Sequence, residues 1–233
     1  MTWTGLRSLL LVATLAACLA PRARASLVPV DDFSDLVLWA GSGTNSAGFV
    51  LQFAATESPT AIAWGYRWNG AATMQAMMDA IAGTTTLVNG APVPPGLDAR
   101  LSISGTQYSF GVFLSTIAYD QIGLPAGWSQ VTRQIENDFV QTGTYPTLYT
   151  RADAGGAWLG EGQSQVMTFT YSQVGASDIT LASGGWYGFV QSSGPETFAF
   201  AQPMAAVPEP GTWGLAAGAA AATAAARAWR RRR

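Results

Sequence analysis

The chain of 233 residues contains no histidine and no lysine, and its single cysteine, Cys18, lies near the start. Each absence removes a class of chemistry. Without histidine there is no histidine-assisted serine nucleophile and no imidazole ligand. With one cysteine there is no internal disulfide and no Cys/His zinc site. Charge is scarce as well, at 11% of residues, and most of the positive charge sits at the two ends. Between Ser26 and Ala206 the only bases are Arg67, Arg100, Arg133 and Arg151. They face thirteen carboxylates, so this stretch carries −9 while the whole chain carries −2. A segment so acidic has little with which to neutralise a phosphate backbone, which argues against nucleic acid as a partner. The side chains left for chemistry are carboxylates, hydroxyls and aromatics. No metal site and no cofactor is expected.

The ends carry the strongest signals. Arg7 followed by the apolar run Ser8 to Ala20 and the small-residue site Ala23-Arg24-Ala25 reads as a secretory signal peptide over residues 1–25. Cleavage is expected between Ala25 and Ser26. Leu15-Ala16-Ala17-Cys18 is a competing lipobox, in which Cys18 would be lipidated and become the first residue. A chain with an anchor at its other end has less need of that one.

At the C-terminus, Val207-Pro208-Glu209-Pro210-Gly211 leads into the uncharged segment Thr212 to Ala226, and Arg227 and Arg230 to Arg233 follow. Counted from Gly211, the uncharged segment makes a helix of roughly 24 Å at about 1.5 Å per residue. That is short against a hydrocarbon core of about 30 Å. Trp213 and Trp229 bracket it at interfacial positions, and the arginines satisfy the positive-inside rule. A single transmembrane helix over 211–229 with a basic cytoplasmic end at 230–233 is expected. A free Ala-rich helix is the alternative, since alanine is the best helix former, but it leaves the arginine cluster unexplained. Two prolines around Glu209 keep the motif out of any helix, as an extended, exposed linker. This tripartite tail resembles the PEP-CTERM sorting signal of bacteria, and Pro208, Glu209 and Pro210 match its motif position by position. The resemblance implies recognition by an exosortase, a membrane transpeptidase-like cysteine enzyme. It covers only residues 207–233 and implies nothing about the activity of the part in front.

That part, residues 26–206, is long enough for one domain with its own core. Leu36 to Trp39 and Phe49 to Phe53 read as strands around the turn cluster Gly41 to Ser46. Ile62, Trp64, Tyr66 and Trp68 share one parity, hence one face of a third strand, which Asn69-Gly70 closes. Thr73 then caps a helix whose Met74, Met77, Met78 and Ile81 fall at helical spacing. The following Thr-rich stretch, with Pro92, Pro94 and Pro95, is expected to be a long loop. Leu101 to Ile103 and Tyr108 to Ile117 read as strands with a turn at Gly105-Thr106. Val131 to Val140 spaces Val131, Ile135 and Phe139 as a second helix. Four further strands are expected at Val166 to Tyr171, Ile179 to Leu181, Trp186 to Gln191 and Thr197 to Phe200. The fold class expected is α+β and β-rich: an antiparallel sheet with one or two packed helices. The stretch from Leu36 to Ile81, with its Trp64-Gly65-Tyr66 core, is similar to an arrangement that recurs in bacterial secreted and surface proteins, and implies a surface domain with no catalytic residue to transfer.

The aromatics are the loudest feature of this domain. Tryptophans on one parity suit a buried face, because a sheet under a Met-rich helix needs large fillers. An exposed row beside Asn and Asp would instead stack on sugar rings, and the candidates for that role are Trp39, Trp68 and Trp186. Arg67, on the opposite parity, is expected to face solvent or a carboxylate. Asp31, Asp32 and Asp35 do not have EF-hand spacing. Glu136 and Asp138, two apart, would not face each other on a helix, and no carboxylate pair is placed for glycoside hydrolysis. No catalytic residue is assigned and enzyme activity is not expected. The function expected is that of an exported cell-envelope or extracellular-matrix protein, structural or adhesive, sorted through Val207, Pro208, Glu209 and Pro210. Its partners would be an exosortase, the membrane and an exopolysaccharide. The alternative is a carbohydrate-binding surface module using exposed tryptophans.

Overall fold

The computed structural model describes residues 28–53, 58–109, 111–122, 124, 128–158 and 166–207. The signal-peptide residues, Ala25 and Ser26 included, and the tail from Pro208 onward lie outside the described residues. So does the expected transmembrane helix. Among the described residues no helix is long and apolar enough to cross a membrane.

The chain enters through Val28–Val30, then a 3-10 turn at Phe33–Asp35. Short strand β1 (Trp39–Gly41) is followed by the two long strands β2 (Asn45–Gln52) and β3 (Ala61–Trp68). Helix α1 (Met74–Ile81) runs directly into β4 (Ala82–Val88). Then come β5 (Asp98–Tyr108), β6 (Gly111–Asp120) and β7 (Thr132–Glu136), followed by the one-turn helix α2 (Phe139–Thr142). The last five strands are β8 (Tyr145–Arg151), β9 (Val166–Tyr171), β10 (Trp186–Ser192), β11 (Thr197–Ala201) and β12 (Met204–Ala205).

The strands form two sheets. The larger has the order β1-β3-β2-β10-β8-β9-β11, with β12 also pairing with β3; the smaller is β4-β5-β6-β7. The fold is β-rich with few helices, as expected, but neither sheet is purely antiparallel. Pairs β1/β3, β2/β10, β12/β3 and β4/β5 are parallel. For β2 and β10 the connection is long: β10 arrives beside β2 after more than 130 residues, and no local hairpin dictates its direction.

The larger sheet is buried on both faces. One face carries Ile62, Trp64, Tyr66 and Trp68 of β3 with Phe49 and Leu51 of β2, all buried. On the same side Trp64 meets Tyr119 of the smaller sheet edge-on at 5.3 Å. Trp64 Nε1 also donates to Asp98 Oδ2 at 2.8 Å, so one indole bridges the two sheets. The other face holds Val50, Ala61, Ala63, Tyr149, Trp158, Met167, Phe169, Trp186 and Phe200 in one cluster. Here the sheet curls over itself. The Phe200 ring of β11 lies where a side chain on Gly188 of β10 would be, and Ala201 N donates to Gln52 Oε1 at 2.7 Å.

Helix α1 is the element most legible in the sequence. Thr73 Oγ1 accepts from Ala76 N at 3.2 Å, and Met74, Met77, Met78 and Ile81 are all buried. Other expectations fail for identifiable reasons. Val131 to Val140 is not a helix. Arg133 and Ile135 point inward while Thr132, Gln134 and Glu136 point out, the period of a strand. The apolar face proposed for that helix does not exist: Val131 is 49% and Phe139 64% exposed. The Thr-rich stretch is strand β4, not loop, because β-branched residues pack on a pleated surface. Gly105 lies inside β5, where the register shifts and a Cβ would sit 2.4 Å from Phe113 O. Close backbone approach, not a turn, explains that glycine. Of the strand expected at Ile179 to Leu181, only a single bridge between Thr73 and Thr180 forms.

The two ends of the domain lie side by side. Val30 N donates to Pro203 O at 3.0 Å and Ala205 N to Val28 O at 2.8 Å. Ala206 N donates to Ala63 O at 2.9 Å, and Val207 is 3% exposed.

Candidate functional site

The three tryptophans considered for sugar stacking are not one platform. Trp186 is fully buried, with Nε1 donating to Ala157 O at 3.2 Å. Trp68 is 5% exposed and stacks at 11° on Tyr66. A ring face already packed against protein cannot pack against a sugar, so the row of exposed tryptophans is corrected to a core. Only Trp39 is half-exposed.

Trp39 is held by a row that crosses four strands. In register, Trp39 of β1 lies beside Gly65 of β3, Gly65 beside Gly48 of β2, and Gly48 beside Trp186 of β10. Each indole lies over the neighbouring glycine. A Cβ on Gly65 would fall 2.4 Å from Trp39 Cδ2, and one on Gly48 would fall 2.1 Å from Trp186 Cε3. Phe33 sets its ring edge-on against both indoles, 5.8 Å from Trp39 and 5.0 Å from Trp186. Trp39 Nε1 donates to Leu36 O at 3.0 Å, which fixes the ring in its own plane.

Two positions after Gly65 on the same face of β3 comes Arg67, which is exposed. Its Cζ lies 4.4 Å from the centroid of the Trp39 ring, a cation–π contact. Of the two expected surroundings, solvent or a carboxylate, it has solvent: among the described residues the Arg67 guanidinium makes no hydrogen bond or ion pair. A cleft of about 310 Å³ opens beside it, lined by Phe33, Ser34, Trp39, Thr44, Asn45 and Arg67, among others. Its wall is the turn after β1. Gly43 sits there at φ +152°, tight against the Trp68 backbone, where a side chain has no room. Thr44 N donates to Asn69 Oδ1 at 3.1 Å, and Asn45 Nδ2 to Gly70 O at 3.3 Å. The two turn clusters visible in the sequence are thus pinned to each other, and the cleft is built on fixed backbone.

The carboxylates flanking Phe33 and Ser34 are already engaged. Asp35 Oδ2 accepts from the backbone of Asp31 at 2.9 Å and of Asp32 at 3.2 Å. Asp32 Oδ1 accepts from Ser34 N at 2.6 Å, and hydrogen bonds from Ser34 hold its carboxyl below the ordinary value. Asp31 Oδ1 accepts from Gln202 Nε2 at 2.6 Å. This is a capping box and its neighbour, not a metal cage, and no group of three acidic residues that could hold a metal ion occurs among the described residues.

A second cleft, of about 230 Å³, lies between the sheets, with Phe113, Leu114, Tyr145, Leu148, Tyr171 and Phe189 among its lining. No charged residue lines it. The buried carboxylate Asp98 is structural: it accepts from Trp64 and, through Oδ1, from Arg100 N at 3.1 Å.

Sequence reasoning found Arg67 and Trp39 separately but not their stacking. The signal was present in Trp39 and in Gly65-Tyr66-Arg67, but the pairing of β1 with β3 that joins them is parallel and non-local. No family model, no curated protein and no solved structure matches this chain.

Proposed function

We propose that the protein is an exported component of the bacterial envelope or extracellular matrix, sorted by an exosortase through Pro208-Glu209-Pro210, with a structural or adhesive role. The observation that carries this reading is the order of the last 27 residues: proline-bracketed glutamate, uncharged segment, arginine cluster. The domain in front is consistent with it. It is a β-rich unit whose Trp64, Trp68, Trp128, Trp158 and Trp186 are all buried in packing.

The test is the intact mass of the protein recovered from envelope and medium. A chain ending within Val207 to Gly211, alone or with an added envelope component, supports sorting. A chain retaining Arg233 in both fractions refutes it. Glu209→Ala should leave export intact and block processing; unchanged processing would remove the motif from the mechanism.

A further inference from the structure

Three of the four arginines of the domain are committed to holding the fold. Arg133 is 3% exposed and donates to Pro59 O at 3.1 Å, to Ser58 O at 2.9 Å and to Ser129 Oγ. Arg100 donates to Ile122 O at 3.2 Å. Arg151 pairs with Asp153 at 2.7 Å and donates to Thr168 O at 3.1 Å. Arg67 differs: in a domain of net charge −9 its guanidinium is exposed, backed by an indole, and bonded to no described carboxylate or carbonyl. The nearby acidic side chains give their oxygens to backbone amides and to Gln202.

We infer that the cleft beside Arg67 receives a carboxylate-bearing sugar ring, a uronate unit of an acidic polysaccharide. A guanidinium presents a planar fork that matches a carboxylate in two parallel hydrogen bonds. Stacking on Trp39 holds that fork in one orientation, which lowers the ordering cost of binding. One arginine balances one negative charge; a phosphate dianion would leave its second charge uncompensated in an acidic domain. The remaining polar groups suit ring hydroxyls. Ser34 and Ser46 offer hydroxyls, and Asn45, whose Nδ2 is used by Gly70 O, offers its Oδ1. The space, about 310 Å³, fits a single ring of a polymer that continues past the open mouth. The choice of a polysaccharide as the source of the ring rests on the matrix reading above.

The experiment is calorimetric titration of the full-length chain in a polyoxyethylene detergent, which carries no sugar. The titrants are uronate oligomers, neutral hexose oligomers of equal length, and inorganic phosphate. Uronate should bind at least tenfold more tightly than either of the others. Arg67→Gln should lose at least tenfold in uronate affinity, and Arg67→Lys should also weaken it, because an ammonium lacks the fork. Both variants should melt within about 4 °C of wild type, since Arg67 is exposed and its only loss is the contact with Trp39. Equal binding of neutral oligomers, equal binding of phosphate, unchanged affinity in Arg67→Gln, or no heat with any titrant would each overturn the proposal. None of these results bears on sorting, which is read from mass in the producing cell.

Discussion

Replacing Gly48 by alanine should destabilise this domain more than a single methyl group usually can. The new Cβ would lie 2.1 Å from Trp186 Cε3 and 2.2 Å from Cζ3, well inside contact distance, so one of the two must move. Trp186 has nowhere to go. It is fully buried, Phe33 and Trp158 pack edge-on against it at 5.0 and 5.2 Å, and its Nε1 is bonded to Ala157 O. Overpacking of a well-filled core costs about 1–3 kcal/mol, and this site belongs at the upper end. For a domain of this size about 3 kcal/mol corresponds to a fall of roughly 6–12 °C in melting temperature. Gly65→Ala makes the matching clash with Trp39 at 2.4 Å, but that indole is only partly buried and can shift at the expense of its bond to Leu36 O. Its cost should be about 1 kcal/mol, toward the lower end of the same range. Gly70→Ala is the control for backbone strain without a clash, since nothing lies within 4 Å of its Cβ although φ is +69°. Thermal melts followed by near-ultraviolet circular dichroism would rank the three. A second test is the double variant Gly48→Ala with Trp186→Leu. Trp186→Leu alone opens space, so the two changes should be non-additive by about 1 kcal/mol or more. The reasoning fails if Gly48→Ala melts with wild type, or if Gly65→Ala costs more than Gly48→Ala.

Two further outcomes follow from the buried polar groups. Burial, reinforced by the Asp98 carboxylate, holds the Tyr119 phenol well above its ordinary value of 10.0, and burial raises Tyr187 as well. A phenol whose folded pKa lies above its unfolded one contributes stability that is complete below about pH 10 and is lost as pH rises through the folded value. With no histidine or lysine in the chain, stability should be nearly flat from about pH 6 to 9. Above that window it should fall steeply, with the absorbance of the buried tyrosinates appearing together with unfolding. A slope near pH 7 larger than an α-amino group explains would contradict this. Asp98→Ala removes the acceptor of the buried Trp64 N–H and of the Arg100 amide. A hydrogen bond to a charged group contributes about 1.5–3 kcal/mol, so chemical denaturation should show a loss of roughly that size or more. Asp98→Asn, which keeps one acceptor, should lose less.

What could be read from the sequence was local. Thr73 and the four apolar residues of α1 lie within nine positions of each other, and capping and helical spacing specify them fully. The alternation of β3 was equally plain, and so was the burial it implied for Trp64 and Tyr66. Trp68 and Trp186 misled because aromatic identity does not say whether a ring faces a ligand or a neighbouring strand. For Trp68 the neighbour is Tyr66 of its own strand, and for Trp186 it is Gly48, which lies beside it only because β10 joins β2 from a distant part of the chain. The Val131 segment misled for a related reason. Its spacing fitted a helix, but a strand places the buried Arg133 where Ser58 O and Pro59 O can receive it, a partnership across more than seventy residues.

The paired ends of the domain also decide how it bears load. Val28–Val30, β12 and β3 form one ribbon, so tension applied beyond Val207 enters through Ala206 and Ala205 and reaches β3 at Ala63 directly. The first bonds to carry it are the β12–β3 ladder and the backbone hydrogen bonds to Ala63 O, to Val28 O and from Val30 N. Peeling β12 away would break these bonds and uncover Ala205, Ala206 and Val207, all buried. Were the tail tethered, as proposed above, that ribbon would be the first part of the domain to carry the load.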